Sequence, residues 1–261
     1  MPTTSSIPRR VLLPLLLAAS ALAASSASAP AATGAYVALG DSYASGLGAG
    51  KTSGDCQRNR RAYAYRLGRH VSAFRACGGA TTASLRRSQL AAFPSNTRLV
   101  TVTIGGNDAG FVDVIETCLF GAADTCDTRV RKAEEFVRKE LAQRLGAVYD
   151  AIREHAPQAK VVVVGYPRLF ARKPWCSRVG EIGDTEQRRL NEASNLLAHT
   201  TNAEVARHDG FRFVDVRPAF NGHGVCSSAP RLIGVTSPLT NSFHPTARGQ
   251  ESYARVIKRR L

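Results

Sequence analysis

The sequence predicts an α/β fold, a three-layer αβα sandwich around a five-stranded parallel sheet. Three observations lead to that expectation. Five short segments rich in valine, threonine and aromatic residues alternate with longer stretches of helical periodicity. Each short segment is stopped by glycine, proline, aspartate or asparagine. Alternation of this kind implies parallel strands joined by right-handed helical crossovers, with helices covering both faces of the sheet.

Residues 35–39, Ala35-Tyr36-Val37-Ala38-Leu39, form the first expected strand, which runs into Gly40-Asp41-Ser42. A serine in that position stands at the crevice where open α/β sheets bind ligands. It is a nucleophile only if a base and an oxyanion hole converge on it, and otherwise it simply caps the next helix. Residues 43–55 are glycine-rich and read as a loop, followed by a helix over 62–70. A second strand over 72–76 ends in Cys77-Gly78-Gly79-Ala80-Thr81-Thr82, and a helical turn covers 84–90. The third strand, 99–104, stops at Gly105-Gly106-Asn107-Asp108.

Residues 117–127 read as a small disulfide-stapled excursion. A long helix is expected over 128–155, where Val130, Ala133, Val137, Leu141, Leu145, Val148 and Ile152 recur at three- and four-residue steps. The fourth strand covers 160–166, with four consecutive valines, and is closed by Gly165 and Pro167. A loop with Trp175 and Cys176 precedes a helix over 185–208, and the fifth strand, 211–214, ends at Asp215. Irregular chain over 217–241 leads to Ser242-Phe243-His244-Pro245 and a last helix over 246–259.

Residues 1–31 stand apart from this pattern. Arg9 and Arg10 form a basic start, 11–24 an apolar core, and Ala29 and Ala31 a small-residue cleavage pair. That is the anatomy of a secretory signal peptide, leaving 32–261 as a single domain in an extracellular protein. Six cysteines follow the leader: Cys56, Cys77, Cys118, Cys126, Cys176 and Cys226. An even count after a signal peptide implies three disulfides, with 15 pairings open. Sequential pairing is favoured, because each neighbouring pair flanks a loop-like stretch. A zinc site is the rival, but neither C-x₂-C nor H-x₃-H spacing occurs, so no metal and no cofactor are expected.

The formal net charge is +15, and +13 once Arg9 and Arg10 are removed. No nucleic-acid-binding pattern accompanies the arginines, so nucleic acid is excluded as a partner. Peripheral attraction to anionic lipid or cell-wall polymer is one use of such a surface, and solvation without a partner is the other.

The strand assignment brings Ser42, Gly79 and Asn107 to one edge of the sheet, and His244, in the loop before the last helix, can reach the same edge. Ester hydrolysis needs such a set: a base for the serine proton and donors aimed at the tetrahedral oxyanion. Gly40-Asp41-Ser42, Gly79, Gly106-Asn107-Asp108 and His244 resemble the four blocks of the GDSL, or SGNH, hydrolases. Cys56-Gln57-Arg58 with Tyr63, and the Cys77–Thr82 run, are similar to the secreted actinobacterial, Streptomyces-type lipases and esterases of that family. The resemblance spans the chain from Tyr36 to the last helix and implies the flavodoxin-like SGNH fold.

It also implies roles. Ser42 would be the nucleophile and His244 the general base. The backbone N–H groups of Ser42 and Gly79, with the Asn107 side chain, would form the oxyanion hole. Asp41 and Asp108 would hold their turns by local hydrogen bonds. The family often carries an aspartate three residues before the histidine, but here that residue is Asn241, a neutral amide. The expectation is a Ser-His dyad with the Ser242 carbonyl orienting the ring. Asn241 is a secondary orienting group, and Asp215 the rival acid.

The resemblance implies a lipase that cleaves carboxylic esters of fatty acids, triacylglycerols and aryl or alkyl esters among them, through an acyl-enzyme; a monomer is expected. Phospholipase A1 and polysaccharide acetyl esterase are the alternatives, and a non-catalytic module binding anionic surfaces is the alternative outside enzymes. Loops 43–55, 110–127, 167–183 and 217–241 are expected to line the cleft. Phe111, Leu119, Phe120, Leu169, Phe170 and Leu232 are the candidate acyl contacts.

Overall fold

Five parallel strands make one sheet in the order β2-β1-β3-β4-β5. They are β1 (Ala35–Gly40), β2 (Ala73–Phe74), β3 (Thr97–Thr103), β4 (Lys160–Val164) and β5 (Phe211–Val214). Registers such as Val37 with Val100, Val100 with Val161 and Val161 with Phe211 run straight across it. The computed structural model describes residues 1–3, 34–91, 93–171, 176, 179–180 and 182–261. Contacts divide the chain into Met1–Ala32 and Thr33–Leu261, and the sheet belongs to the second unit. The expected leader, beyond its first three residues, and Trp175 lie outside the described residues.

Both faces of the sheet are buried, which is why its strands read as unbroken apolar runs. Val37, Leu39, Val100, Val102, Val161 and Val163 enter one core with Leu85, Leu145, Val148 and Ile152. Tyr36, Ala38, Val162, Val164 and Val214 enter the other with Tyr63, Val130, Tyr253 and Ile257. Among the described residues buried side-chain polar atoms are paired, except the Tyr149 hydroxyl and Ser227 Oγ; the Tyr36 hydroxyl, for one, sits 2.8 Å from Thr101 Oγ1.

The helices follow α1 (Ser42–Ser45), α2 (Thr82–Ser88), α3 (Phe111–Phe120), α4 (Ala123–Phe136), α5 (Ala142–His155), α6 (Asp184–Val205), α7 (Arg217–Phe220) and α8 (Ala247–Lys258). Three expectations need correction. The helix expected over 62–70 is a single 3₁₀ turn, Tyr63–Arg66. Its first N–H goes to Gln250 Oε1 at 2.8 Å, and Gly68 takes a left-handed φ of 76° just beyond it. The segment 117–127 is helical at both ends rather than an excursion, with the Cys118–Cys126 bridge tying the end of α3 to the start of α4. The helix expected over 128–155 starts at Ala123 and is interrupted by a π turn, Val137–Leu141. Ala133, Val137, Leu141 and Leu145 are spaced by three successive four-residue steps. These overshoot a 3.6-residue period, and the wider turn absorbs the excess.

The disulfides pair sequentially, Cys56–Cys77, Cys118–Cys126 and Cys176–Cys226. The first anchors the glycine-rich loop beside the turn after β2, where Gly78 N–H also donates to the Cys56 carbonyl at 2.9 Å.

One buried side chain ties the last helix to the first. Gln250 Oε1 accepts from Tyr63 N–H, and its Nε2 donates to the Tyr43 carbonyl at 3.0 Å. Gln250→Leu strands a buried donor and a buried acceptor, and we expect a loss of about 2–4 kcal/mol. Urea unfolding of wild type and variant measures it, and coincident midpoints would refute the assignment.

Candidate active site

The order β2-β1-β3 reverses the direction of winding between β1 and β3, and such a switch point opens a crevice at the carboxyl ends of the strands. β1 ends there in Gly40, whose φ of 129° and approach to the β3 backbone demand glycine. An added Cβ would lie 2.3 Å from the Thr103 carbonyl oxygen. Gln89 brackets this residue: Gly40 N–H donates to Gln89 Oε1, and Gln89 Nε2 donates to the Gly40 carbonyl, both at 2.8 Å. Asp41 then caps α1 by accepting from Tyr43 N–H at 2.9 Å, and the Tyr166 hydroxyl donates to its other oxygen. Ser42 is left as the first helical residue, where a backbone N–H has no intrahelical acceptor.

His244 reaches Ser42 from the other side. Its Nε2 lies 2.7 Å from Ser42 Oγ, and its Nδ1 lies 3.0 Å from the Ser242 carbonyl oxygen. A carbonyl only accepts, so Nδ1 carries the proton and Nε2 faces the serine hydroxyl as an acceptor. Burial pushes the His244 pKa down from 6.5 to about 4, against hydrogen bonds that the ring donates to the Ser242 and then the Asn241 backbone. No hydrogen bond joins the Asn241 side chain to His244 among the described residues, so Asn241 acts there through its backbone. Asp215 is engaged elsewhere, accepting from Arg217 Nε and Nη2 at 2.9 and 2.8 Å.

The turn that carries the histidine is held in a costly shape. Phe243 has φ of 61°, a left-handed conformation uncommon for a bulky side chain. Its carbonyl accepts from the Tyr43 hydroxyl at 2.7 Å, and its N–H donates to Ile233. The Tyr43 ring lies 5.0 Å from the imidazole. Burial drives both the Tyr43 and the Tyr166 phenols above their ordinary pKa, so each acts as a neutral donor. Asp41 is raised to about 7 by burial, in spite of its three donors.

At the end of β3, Asn107 Nδ2 donates to the Ala80 carbonyl at 2.9 Å, joining this turn to the one after β2. Gly79, next to Ala80, takes φ of 74°, with open space where a side chain would be. Among the described residues neither the Ser42 nor the Gly79 amide donates to another protein group. Asp108 does not hold its own turn. It accepts from Thr82 N–H at 2.9 Å and from the Thr82 hydroxyl at 2.5 Å, fixing the start of α2.

Ser42 and Asn107 line one cavity of about 750 Å³, its open mouth included, and Gly79 is outside that lining. Phe111 and Val114 of α3 and Leu169 form its near wall. The larger part comes from helices rather than the expected loops: Val130, Ala133 and Glu134 of α4, and Leu190, Ala193 and Leu197 of α6. Of the candidate acyl contacts, only Phe111 and Leu169 reach it. Leu119, Phe170 and Leu232 are buried in the core, and Phe120 is 79% exposed. The 217–241 segment contributes nothing to this lining; its Ile233 and Asn241 face a shallow cleft with Gly48 and Lys51. Residues that the sequence did not single out, Gln89, Tyr166 and Gln250, hold the crevice together. Among the described residues no group of three histidine, cysteine or acidic side chains could hold a metal ion.

A flavodoxin-like sheet whose switch point holds a serine hydroxyl against an imidazole, beside an apolar cavity, defines a class, the ester hydrolases. The chain belongs to the GDSL-like lipase/acylhydrolase family, whose pattern matches residues 38–251, and it is a carboxylic-ester hydrolase of lipase type. It is 43% identical over 248 residues to Lipase 1 of Streptomyces coelicolor, covering 90% of this chain and 91% of that protein. Among solved structures, the extracellular lipase of Streptomyces rimosus superposes with a TM-score of 0.82 at 42% identity, covering 87% of this chain and all of that one. Phospholipase A1 of Streptomyces albidoflavus NA297 gives the same TM-score at 39% identity, covering 87% and 99%. Membership of this family sets aside the non-catalytic binding module.

Proposed function

We propose that this protein is a secreted lipase that cleaves fatty-acid esters, triacylglycerols and simple aryl or alkyl esters, through a Ser42–His244 dyad and an acyl-enzyme. The 2.7 Å contact between Ser42 Oγ and His244 Nε2 at an apolar cavity carries this reading. His244 takes the serine proton as Oγ attacks the ester carbonyl, and the negative charge moves to the carbonyl oxygen. The free amides of Ser42 and Gly79 and the Asn107 side chain stabilise that oxyanion. His244 then returns the proton to the leaving alcohol, and water releases the acid by the same steps in reverse. The Ser242 carbonyl keeps Nδ1 protonated throughout, in the place where a carboxylate is more familiar. The acyl chain lies in the apolar cavity.

Secretion, removal of residues 1–31 and action of 32–261 as one monomeric hydrolase domain are part of the same proposal. Three disulfides and the extracellular lipase among the similar structures support it. The basic surface would then aid contact with anionic lipid or cell wall. That surface and the similarity to a phospholipase A1 favour a second reading, in which the sn-1 ester of a phospholipid is the substrate.

Hydrolysis of p-nitrophenyl esters from acetate to palmitate, beside phosphatidylcholine and a triacylglycerol emulsion, tests both readings. A phosphatidylcholine rate far above the triacylglycerol rate would select the phospholipase. In the same assay Asn107→Ala is expected to lower kcat by about 10²–10³-fold with little change in KM. A loss confined to KM would remove Asn107 from the oxyanion hole.

A further inference from the structure

We propose that Glu134 sets the length of acyl chain the enzyme accepts, a reading that rests on the acyl-enzyme chemistry above. Ser42 shares its cavity with two helical rows, Val130 and Ala133 of α4 with Val137 of the π turn, and Leu190, Ala193 and Leu197 of α6. Glu134 stands on the same wall, only 7% exposed, and is the one ionisable side chain that α4 and α6 give to this lining. Its position is fixed by partners on α6 and in the π turn. Arg189 of α6 donates from Nη1 to Oε1 and from Nη2 to Oε2, each at 3.4 Å, and Arg138 donates from Nη2 to Oε2 at 3.4 Å. Arg189 is itself held by Asp127 and Glu192, both at 3.0 Å. The guanidinium thus straps α4 to α6 and fixes the Glu134 side chain in the cavity wall.

This arrangement sets one ionisable group into the largely apolar wall that these two helices give the cavity. Each methylene that enters among valine, alanine and leucine side chains leaves water and strengthens binding of the reacting ester. A methylene that reaches Glu134 instead meets a carboxyl–guanidinium pair, gaining no apolar contact and displacing what water that pair retains, which opposes binding. Activity should therefore climb with chain length and then break off, at a length fixed by one side chain. Among the described residues no hydrogen bond joins Glu134 to Ser42 or His244, and it acts on specificity rather than on proton transfer.

The test is kcat/KM of the oxidised protein for p-nitrophenyl esters from acetate to palmitate, each profile expressed relative to its own acetate value so that a general change in activity cancels. Wild type, Glu134→Ala, Glu134→Gln and Ser42→Ala are compared. For Glu134→Ala the break should move to longer chains by about two methylenes. Esters just beyond the wild-type limit should gain roughly tenfold relative to acetate. Glu134→Gln keeps the shape and removes the charge, and should shift the break in the same direction by less. It also serves if the alanine variant folds poorly. Superimposable profiles for wild type and both Glu134 variants overturn the proposal while leaving the dyad intact. Ester hydrolysis that persists in Ser42→Ala overturns the acyl-enzyme reading itself, and the length rule with it.

Discussion

Ser42→Ala should abolish ester hydrolysis, with kcat falling by about 10⁴–10⁶-fold. In the proposed mechanism no other group can form the acyl-enzyme, so the residual rate would come only from the oxyanion donors and from substrate binding. Fold stability should hardly change. The serine hydroxyl has His244 as its hydrogen-bond partner, and truncation to alanine removes one small oxygen from a site that is already open to the cavity. The measurement is turnover of a p-nitrophenyl ester beside a thermal melt of both proteins. A melt that matches wild type with turnover gone assigns the chemistry to Ser42. Retained turnover would move the nucleophile elsewhere.

The second large effect concerns His244, through substitution and through pH. His244→Ala should cost about 10⁴-fold in kcat, because the serine then has no acceptor for its proton. The pH dependence is more discriminating. A pKa lowered to about 4 by burial means that the neutral, proton-accepting imidazole persists as pH falls through 6.5 and is lost only near 4. The acid limb of kcat/KM in wild type should therefore lie well below the usual histidine range. An acid limb near 7 would instead assign control to the buried carboxyl of Asp41, whose protonation weakens the cap of α1. The same shift has a stability consequence. Between pH 6.5 and 4 the unfolded chain binds a proton at this histidine that the folded chain refuses, so this group makes the fold less stable as pH drops across that window.

Much of the architecture was legible because it is written in local periodicities. Val161–Val164 and the β-branched run of β3 announce strands buried on both sides, and the alternating helical stretches then require a parallel sheet. The sequential cysteine pairs were readable for the same reason, since each closes chain that is near in sequence. The placement of Ser42, Asn107 and His244 at one edge followed from where the strands stop. What escaped is contact between distant positions. Gln250 reaches Tyr63 and Tyr43 across about two hundred residues, Tyr166 reaches Asp41 across 125, and neither leaves any periodic trace. The cavity was misjudged for a related reason. Val130, Ala133, Leu190 and Leu197 have the spacing of ordinary core residues, and no pattern distinguishes an apolar face packed against another helix from one left partly open. The π turn was hidden likewise, because four-residue steps are normal in a helix until three occur in succession.

The order of the bridges along the chain has a further consequence. Cys56–Cys77, Cys118–Cys126 and Cys176–Cys226 neither overlap nor enclose one another, whereas Ser42 precedes all three and His244 follows all three. A chain emerging from its N-terminus could complete every covalent link and still have a serine without its histidine. That contact joins residues 202 apart and encloses all three bridges. Covalent completion and catalytic competence are thus separate conditions, and a molecule with every bridge closed still needs this one contact before it can act on an ester.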